Sequence, residues 1–289
     1  MSELSFFDAV ASTPLLQRAL VAGGLAGVSC AALAPLVVLR RMAFIGDGMA
    51  HAAFGGLGVA LFVLGGSRYE DLGVQLLTLA FCLALALAIG RASREANGGN
   101  ITEDSAIGIA FSVSMALGAV FIALRQRRDP QYVTSMDTYL FGNLLNIGPS
   151  DVAVLSVLTL TVLAVLVLFQ KEILFYAFDA RLAEVSGLNT GLLHHLILLL
   201  LVLTVVIASR VMGIVLVSSS LVLPGVIALR LCTRMVPAMV LAAIVGLVSF
   251  EVGLYASYAC SVQPGAAIVL VQFAVLLVAA GARKLWRMG

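Results

Sequence analysis

Charged residues are scarce in this sequence, and their scarcity excludes a water-soluble fold. Asp, Glu, Lys and Arg make up only 11% of the 289 residues, whereas a soluble domain carries about a quarter. Leu, Val and Ala take their place and bring the hydrophobic share to 62%, which also excludes an intrinsically disordered chain. At roughly 20 apolar residues per span, most of the chain is committed to crossing a bilayer.

Lysine is almost absent, and this limits how the protein can obtain energy. A P-loop that binds ATP ends in Gly-Lys-Ser or Gly-Lys-Thr, but Lys171 and Lys284 follow Gln170 and Arg283. Hydrolytic signatures such as His-Glu-x-x-His and Gly-x-Ser-x-Gly are also missing from the sequence. We therefore expect no catalytic residue, and any energy for transport must come from a gradient or from another subunit.

Cysteines and basic patches are equally rare. The four cysteines, at positions 30, 82, 232 and 260, have no Cys-x-x-Cys spacing, so we expect packing residues and not metal ligands or a disulfide. The net charge is only +2, and the basic residues form short clusters between apolar stretches, as orientation signals do. Nucleic acid is therefore not an expected partner.

Nine apolar segments follow one another along the chain, and each has the length of a membrane-spanning helix. The junctions at Arg40-Arg41 and at Ser209 to Val211 are so tight that the count is eight or nine spans. We expect an all-α polytopic transmembrane helical bundle, with residues 1–289 forming one domain in the lipid bilayer. The segments cover about 17–39, 44–66, 73–92, 104–123, 151–169, 191–209, 212–232, 237–255 and 265–282.

The positions of Lys and Arg predict an outside N-terminus and a cytoplasmic C-terminus. A cluster at Arg125, Arg127 and Arg128 falls on the outer side and departs from the rule. With nine spans, eleven of the seventeen basic residues fall on the cytoplasmic side: Arg40, Arg41, Arg91, Arg94, Lys171, Arg181, Arg230, Arg234, Arg283, Lys284 and Arg287.

Two connections are too long to be simple turns. The outer one, residues 125–150, contains an apolar stretch from Tyr139 to Leu145 that is too short to span, so we expect an interfacial or re-entrant piece. The inner one, residues 170–190, contains a short amphipathic helix with a glycine placed to end it. This helix fits either the membrane interface or a cytosolic partner. Its candidate contact residues are Asp179, Arg181, Leu182, Glu184, Val185 and Gly187.

An acid and an imidazole within the second segment form the sharpest candidate site. Asp47 and His51 are four residues apart, so their side chains lie on one face of a helix. Such a pair can share a zinc, manganese or ferrous ion, and charged groups inside a span are functional candidates. The same spacing fits equally well an Asp–His pair whose two side chains only form a hydrogen bond with each other. Nearby, small residues at 52, 56 and 60 let another helix approach closely.

Further polar groups lie within the apolar segments. Glu251 could line a path or remain a protonated structural acid beside Ser249 and Tyr255. Pro224 cannot donate to the carbonyl of Ser220, so the seventh segment is expected to kink there. The freed carbonyl and the hydroxyls of Ser218 and Ser220 could line an ion path, or the kink could be purely structural.

Four motifs in this order resemble the ABC-3 family of metal-ion permeases, which serve zinc, manganese and iron importers. Together they extend over most of the chain from about residue 20. They are a basic turn with Gly-Asp-x-x-x-His-Ala from Arg40 to Ala52, an outer Leu-Phe-Gly element at 139–143, a coupling helix at 179–187, and a Gly-x-x-Leu-Val…Pro span from Gly213 to Pro224.

The resemblance implies a permease with the fold of an ABC type II importer. It implies a homodimer in a bacterial cytoplasmic membrane, a cytosolic ABC ATPase dimer that contacts the coupling segment 170–190, and an extracytoplasmic metal-binding protein. By the same likeness, Asp47 and His51 line the translocation path. No cofactor would be bound permanently, and the cargo would be a divalent metal, zinc in the first place and manganese or iron otherwise.

Two other functions compete with this interpretation. A gradient-driven metal transporter or channel would use the same intramembrane pair without an ATPase, although it would leave the amphipathic inner helix unexplained. An ABC permease for a metal chelate, such as a siderophore or cobalamin, would need a wider path than a carboxylate and an imidazole suggest.

Overall fold

The computed structural model describes residues 10–65, 70–95, 103–129, 140–142 and 147–286. Twelve helices account for most of them, and the described ranges contain no β-strand. The helices are α1 (Pro14–Leu39), α2 (Ala43–Leu64), α3 (Glu70–Glu95), α4 (Glu103–Arg128), α5 (Pro149–Leu168), α6 (Gln170–Phe178), α7 (Ala180–Val185), α8 (Thr190–Met212), α9 (Ile214–Ser220), α10 (Leu223–Leu231), α11 (Met235–Cys260) and α12 (Pro264–Trp286).

Each predicted span falls on one of these helices, except the seventh, which is divided between α9 and α10, while α6 and α7 lie in the inner connection. Within the described residues, eight helices are long and apolar enough to cross a membrane, with α9 and α10 together forming one of them. The ninth apolar stretch, Gly73–Ile89 within α3, is shorter. The prediction of an all-α polytopic bundle with eight or nine spans is therefore confirmed.

The tight turn between α1 and α2 is a Schellman motif. Arg41 N–H donates to the carbonyl of Val38, and Met42 N–H donates to that of Val37 at 2.8 Å. Arg41 occupies the left-handed position, with φ of 57°, where glycine is the usual residue. The first turn of α2 follows at once, because Gly46 N–H donates to the carbonyl of Met42.

The inner connection contains two short helices joined by a single residue. Asp179 N–H closes α6 on the carbonyl of Phe175, and the Asp179 carboxylate accepts the N–H of Leu182 to cap α7. Gly187, with φ of 89°, ends α7 in a second Schellman motif, as the sequence predicted. Asn189 then caps α8 through the N–H of Leu192.

Small residues allow the helices to pack backbone against backbone. A methyl group added at Gly58 of α2 would lie 2.7 Å from the Cα of Gly118 in α4, and one at Gly56 would lie 3.1 Å from the carbonyl of Thr78 in α3. On the other side of the bundle, Gly246 of α11 contacts Gly27 of α1 in the same way. Close approach at the predicted small-residue stripe is thus confirmed, with α3 as the neighbour.

The seventh span is interrupted. Its first part, α9, ends at Ser220, and α10 begins at Leu223 with Pro224 in its first turn. The sequence predicted a kink at Pro224, whereas the chain breaks fully at Leu221 and Val222. Proline is accepted in a first turn because no N–H is required there. Gly225 then packs against the Ala34–Pro35 peptide of α1. This contact holds α10 in a direction different from that of α9.

The outer Leu-Phe-Gly element packs against the turn between α8 and α9. Gly142 and Gly213 both have φ of 80°, and their backbones are in direct contact. A side chain on either residue would collide with the other segment. Tyr139, Asn143 and the remainder of the outer apolar stretch lie outside the described residues.

Candidate functional site

Asp47 and His51 lie one turn apart near the start of α2. The Nε2 of His51 is 3.8 Å from Oδ1 of Asp47, which is longer than a hydrogen bond. Metal–nitrogen and metal–oxygen bonds of about 2.0–2.2 Å each would let one ion touch both atoms across that separation. The carboxylate side chain is 48% exposed and the imidazole 18%.

The neighbours of the pair leave one sector of α2 open. Gly46 faces Leu201 of α8 and Leu221 at the helix break, and Gly48 faces Ile107 of α4. Asp47 lies between these two directions, so its carboxylate projects between α4 and the α8–α9 side of the bundle.

The ring of His51 is fixed by packing. It meets the ring of Phe111 in α4 edge-to-face, with centroids 4.4 Å apart. Its Nδ1 atom is buried without a hydrogen-bond partner, while Nε2 faces Asp47. In the described part of the chain, no three His, Cys, Asp or Glu side chains come close enough to hold a metal together. Within those residues, the candidate site therefore has two ligands, Asp47 and His51.

The structure separates Glu251 from this pair. Glu251 lies against Gly24 of α1, about 22 Å along α1 from the turn that leads into α2, at a rise of 1.5 Å per residue. Asp47, in contrast, lies within the first turns after that turn. The acid therefore belongs to the α1–α11 contact and not to the neighbourhood of the Asp–His pair.

The residues around the helix break point in two directions. Ser218 is three residues before Leu221, which approaches Gly46, so Ser218 shares the face directed at α2; its hydroxyl donates to the carbonyl of Ile214. Ser220 is buried and accepts a hydrogen bond of 3.0 Å from Gln272 of α12. Pro224 is buried as well. Of the three candidates, Ser218 lies on the side of the pair.

Two polar features were missed from the sequence. Gln272 is a buried amide in the last span whose Oε1 has no hydrogen-bond partner, and a lone Gln in an apolar run was the available signal. Arg40 was read as an orientation signal and as part of the basic turn of the family motif, yet its guanidinium also donates to the hydroxyl of Tyr176 in α6. That contact joins residues far apart in the chain, and no local pattern marks it.

The surface of α7 combines exposed apolar and charged side chains. Leu182 is 54% exposed and Val185 is 86% exposed, while Ala183 is fully buried and anchors the helix to the bundle. All six residues assigned to partner contact from the sequence are on the surface: Asp179, Arg181, Leu182, Glu184, Val185 and Gly187.

Apolar helices that pack into one bundle, with an interrupted span and an exposed helix between α5 and α8, define a multi-pass membrane protein with a permease fold. The family model described as the ABC 3 transport family matches residues 12–282. The chain belongs to that family.

Relatives and solved structures agree with this assignment. The chain is 36% identical over 274 residues to the manganese transport system membrane protein MntC of Halalkalibacterium halodurans, covering 94% of this chain and 88% of the relative. It is 31% identical to the chelated iron transport system membrane protein YfeD of Yersinia pestis, covering 92% of this chain and 84% of the relative. Such relatives place the protein in a bacterial membrane.

A solved structure has the same fold over nearly the whole length. PsaBC from Streptococcus pneumoniae in complex with Fab matches with a TM-score of 0.82 at 26% identity, covering 95% of this chain and 94% of that chain. An inward-facing conformation of a putative metal-chelate type ABC transporter matches with a TM-score of 0.61 at 18% identity, covering 96% and 92% of the two chains. The expected ABC permease fold is confirmed.

Proposed function

We propose that this chain is the permease subunit of an ATP-driven importer for a divalent transition-metal ion. The observation that carries the proposal is the Asp47–His51 pair, whose facing Oδ1 and Nε2 atoms are 3.8 Å apart, beyond hydrogen-bond distance, with the carboxylate 48% exposed. Ionisable side chains inside a membrane span cost free energy, so such a pair is by default a candidate for a role in transport. Membership in the ABC 3 transport family supports an ABC system over a gradient-driven channel.

A second copy of the chain would complete the path. Two ligands from one chain are fewer than the four or more that protein sites for transition metals use, and the Asp47 carboxylate lies on an open sector of α2. A two-fold symmetric dimer presents the same surface twice. The same pair from the second copy would thus bring the ligand number to four.

Manganese is the cargo we propose first. The family resemblance put zinc first, although the Asp–His pair suits several borderline ions and does not distinguish among them. Relatives 36% and 33% identical are named as manganese transport proteins, and this favours manganese. The YfeD relative, named for chelated iron, supports a metal chelate as the second candidate.

The cytosolic partner would be a dimer of ABC ATPases that docks on α7, and an extracytoplasmic metal-binding protein would deliver the ion. Exposed Leu182 and Val185 beside charged Arg181 and Glu184 offer an apolar centre with a polar rim. ATP-dependent dimerisation of the ATPases would then move α7 and tilt the bundle.

Metal uptake by the complete complex tests the proposal. In liposomes with ATPase and binding protein, we expect Asp47→Asn and His51→Gln each to reduce Mn²⁺ uptake by at least about ten-fold, since groups that only orient a metal ligand already cost that much. Glu251→Gln, distant from the pair, should retain uptake. Normal uptake in both path variants would refute the role of the pair, and uptake of chelated metal alone would favour the second candidate.

Substitution of the docking surface tests the partner. Leu182→Asp places a charge at the exposed apolar centre of α7 without disturbing a buried contact. We expect normal abundance in the membrane but loss of both ATPase binding and uptake, measured by co-purification and transport. Unchanged ATP-dependent uptake in this variant would contradict docking at α7.

A further inference from the structure

Three side chains from different helices meet at the inner end of the bundle. Arg40 ends α1, Tyr176 lies in the last turn of α6, and His194 lies in the first turns of α8. The Nη2 of Arg40 donates to the Tyr176 hydroxyl at 2.8 Å, and that hydroxyl is 3.1 Å from Nδ1 of His194. The guanidinium also stacks on the Tyr176 ring, 4.1 Å from its centroid. We call these three residues the inner cluster.

The guanidinium of Arg40 contacts a hydroxyl, a main-chain carbonyl and an aromatic ring within the inner cluster. Tyr176 is 3% exposed, and its main-chain carbonyl accepts from Nη1 of Arg40 at 3.4 Å. The Nε of Arg40 is buried without a hydrogen-bond partner, and within the described residues no carboxylate lies within 4 Å of the guanidinium. A buried charge normally has a counter-ion. This contact can therefore break at lower cost than a full ion pair.

On one side, the inner cluster is tied to α7. Tyr176 is three residues before Asp179, the single residue that joins α6 to α7 and caps both helix ends by hydrogen bonds. Any displacement of α7 must therefore move the end of α6 that carries the Tyr176 side chain.

On the other side, the inner cluster is tied to α2. Arg40 is followed by the Schellman turn of Arg41 and Met42, and the carbonyl of Met42 accepts the first helical hydrogen bond of α2 from Gly46. Asp47 is the next residue. This turn is short and fully hydrogen-bonded, so it transmits displacement with little slack.

We infer that the inner cluster is the contact through which α7 displaces the start of α2, with Arg40, Tyr176 and His194 acting as positioning residues for the Asp47–His51 pair. The inference rests on the proposed function, because it assigns the mechanical link between the docking surface and the candidate ligands. His194 holds the Tyr176 hydroxyl from α8, a helix that also contacts α2 through Leu201. The inner cluster is thus connected to α2 through both α1 and α8.

The test is the ratio of Mn²⁺ transported to ATP hydrolysed by the complete reconstituted complex. We expect Tyr176→Phe, which keeps the ring but removes the hydroxyl, and Arg40→Gln to leave ATP hydrolysis within about two-fold of the original protein while lowering the transport ratio about ten-fold, within the usual range of coupling between sites. A residue that only stabilises the fold would lower both rates together through loss of folded complex.

Matched variants on the same elements serve as controls. Arg41→Gln removes an exposed charge beside Arg40, and His195→Gln removes an exposed imidazole beside His194 that bonds only within α8 in the described contacts. Both should retain the original ratio. Arg40→Lys should recover part of the ratio lost in Arg40→Gln, because a cation is restored without the stacking plane.

The outcomes separate the two proposals. If the original complex transports no divalent metal, the proposed function fails. If it does transport metal and Tyr176→Phe and Arg40→Gln keep the original ratio, the inner cluster is not the link and this inference is overturned. A ratio lowered equally in the controls would overturn it too, because the effect would then belong to the inner surface as a whole.

Discussion

At the scale of single residues, backbone conformation determines which residue type fits at several positions, more strongly than side-chain chemistry does. Arg41, Gly142, Gly187 and Gly213 all have positive φ, and three of them are glycines, as their conformation favours. Among the described residues, Arg41 and Ser261 are the two non-glycine residues with positive φ, and the side chain of Arg41 is exposed. A left-handed residue other than glycine costs roughly 1–2 kcal/mol.

Replacement of Arg41 should therefore stabilise the protein. In Arg41→Gly the turn between α1 and α2 keeps its hydrogen bonds and loses the strain, so we expect a gain of about 1 kcal/mol in the free energy of unfolding. Thermal unfolding in detergent, followed by loss of monodisperse protein, measures it. Arg41→Ala, which keeps the strained φ, is the control, and an equal gain in that variant would contradict the conformational explanation.

At this scale, the sequence predicted only those parts of the candidate site whose residues are close together in the chain. The spacing of Asp47 and His51 sufficed to place them on one face, because a helix fixes which residues lie one turn apart. The contact of Arg40 with Tyr176 was not predictable, since it depends on how α1 and α6 come together in the bundle. A local pattern carries no information about such a contact.

At the scale of helices, the packing of α2 against α4 depends on glycines of unequal importance. A methyl group at Gly118 would lie 2.9 Å from the main-chain carbonyl of Phe54 and even closer to its ring, whereas one at Gly108 would meet nothing within 4 Å. Both glycines lie in α4, so they form a matched pair.

Alanine substitution at these two sites should have opposite effects. Gly118→Ala forces α2 and α4 apart and should cost about 1–3 kcal/mol through overpacking. Gly108→Ala keeps the contact and should gain up to about 1 kcal/mol of helix propensity. Chemical denaturation in detergent compares them. Equal stability of the two variants would show that the close approach of α2 and α4 contributes little.

The existence of the helices could be predicted from the sequence, but their interruptions could be predicted only in part. Hydropathy located every span because the bilayer demands a fixed apolar length. The break at Leu221 and Val222 lies before Pro224, because proline is placed in the new first turn and packing of Gly225 on α1 redirects the chain. The separate α6 was missed because it is only nine residues long and begins with the polar residues Gln170, Lys171 and Glu172.

At the scale of the whole molecule, the sequence did not show which helices would be neighbours. In a soluble helix the apolar stripe marks the core, but lipid is as apolar as the interior of a bundle. In α5, Leu158 is buried and Leu160 is 71% exposed, and nothing in the residue type distinguishes them. The order of helices around α2 therefore emerged only with the structure.

The orientation of the bundle remains a prediction that the protein's own cysteines can test. Cys260, exposed, ends α11, while Cys232 ends α10 at the opposite end of the bundle, and Cys30 and Cys82 are buried. In right-side-out vesicles, a membrane-impermeant maleimide should label Cys260 and spare Cys232. Cys260→Ser should abolish the signal, and labelling that survives in this variant would invert the predicted topology.

The close fit of α1 to α11 has a consequence for biogenesis. α1 is the most buried of the candidate spans, and glycines of α1 contact Phe250 and Gly246 of α11 directly. During synthesis α1 leaves the ribosome long before its packing partner α11 exists. Until then, its alanine- and glycine-rich surface contacts lipids or the insertion machinery. The late arrival of α11 then sets the moment at which the first span acquires its final neighbours.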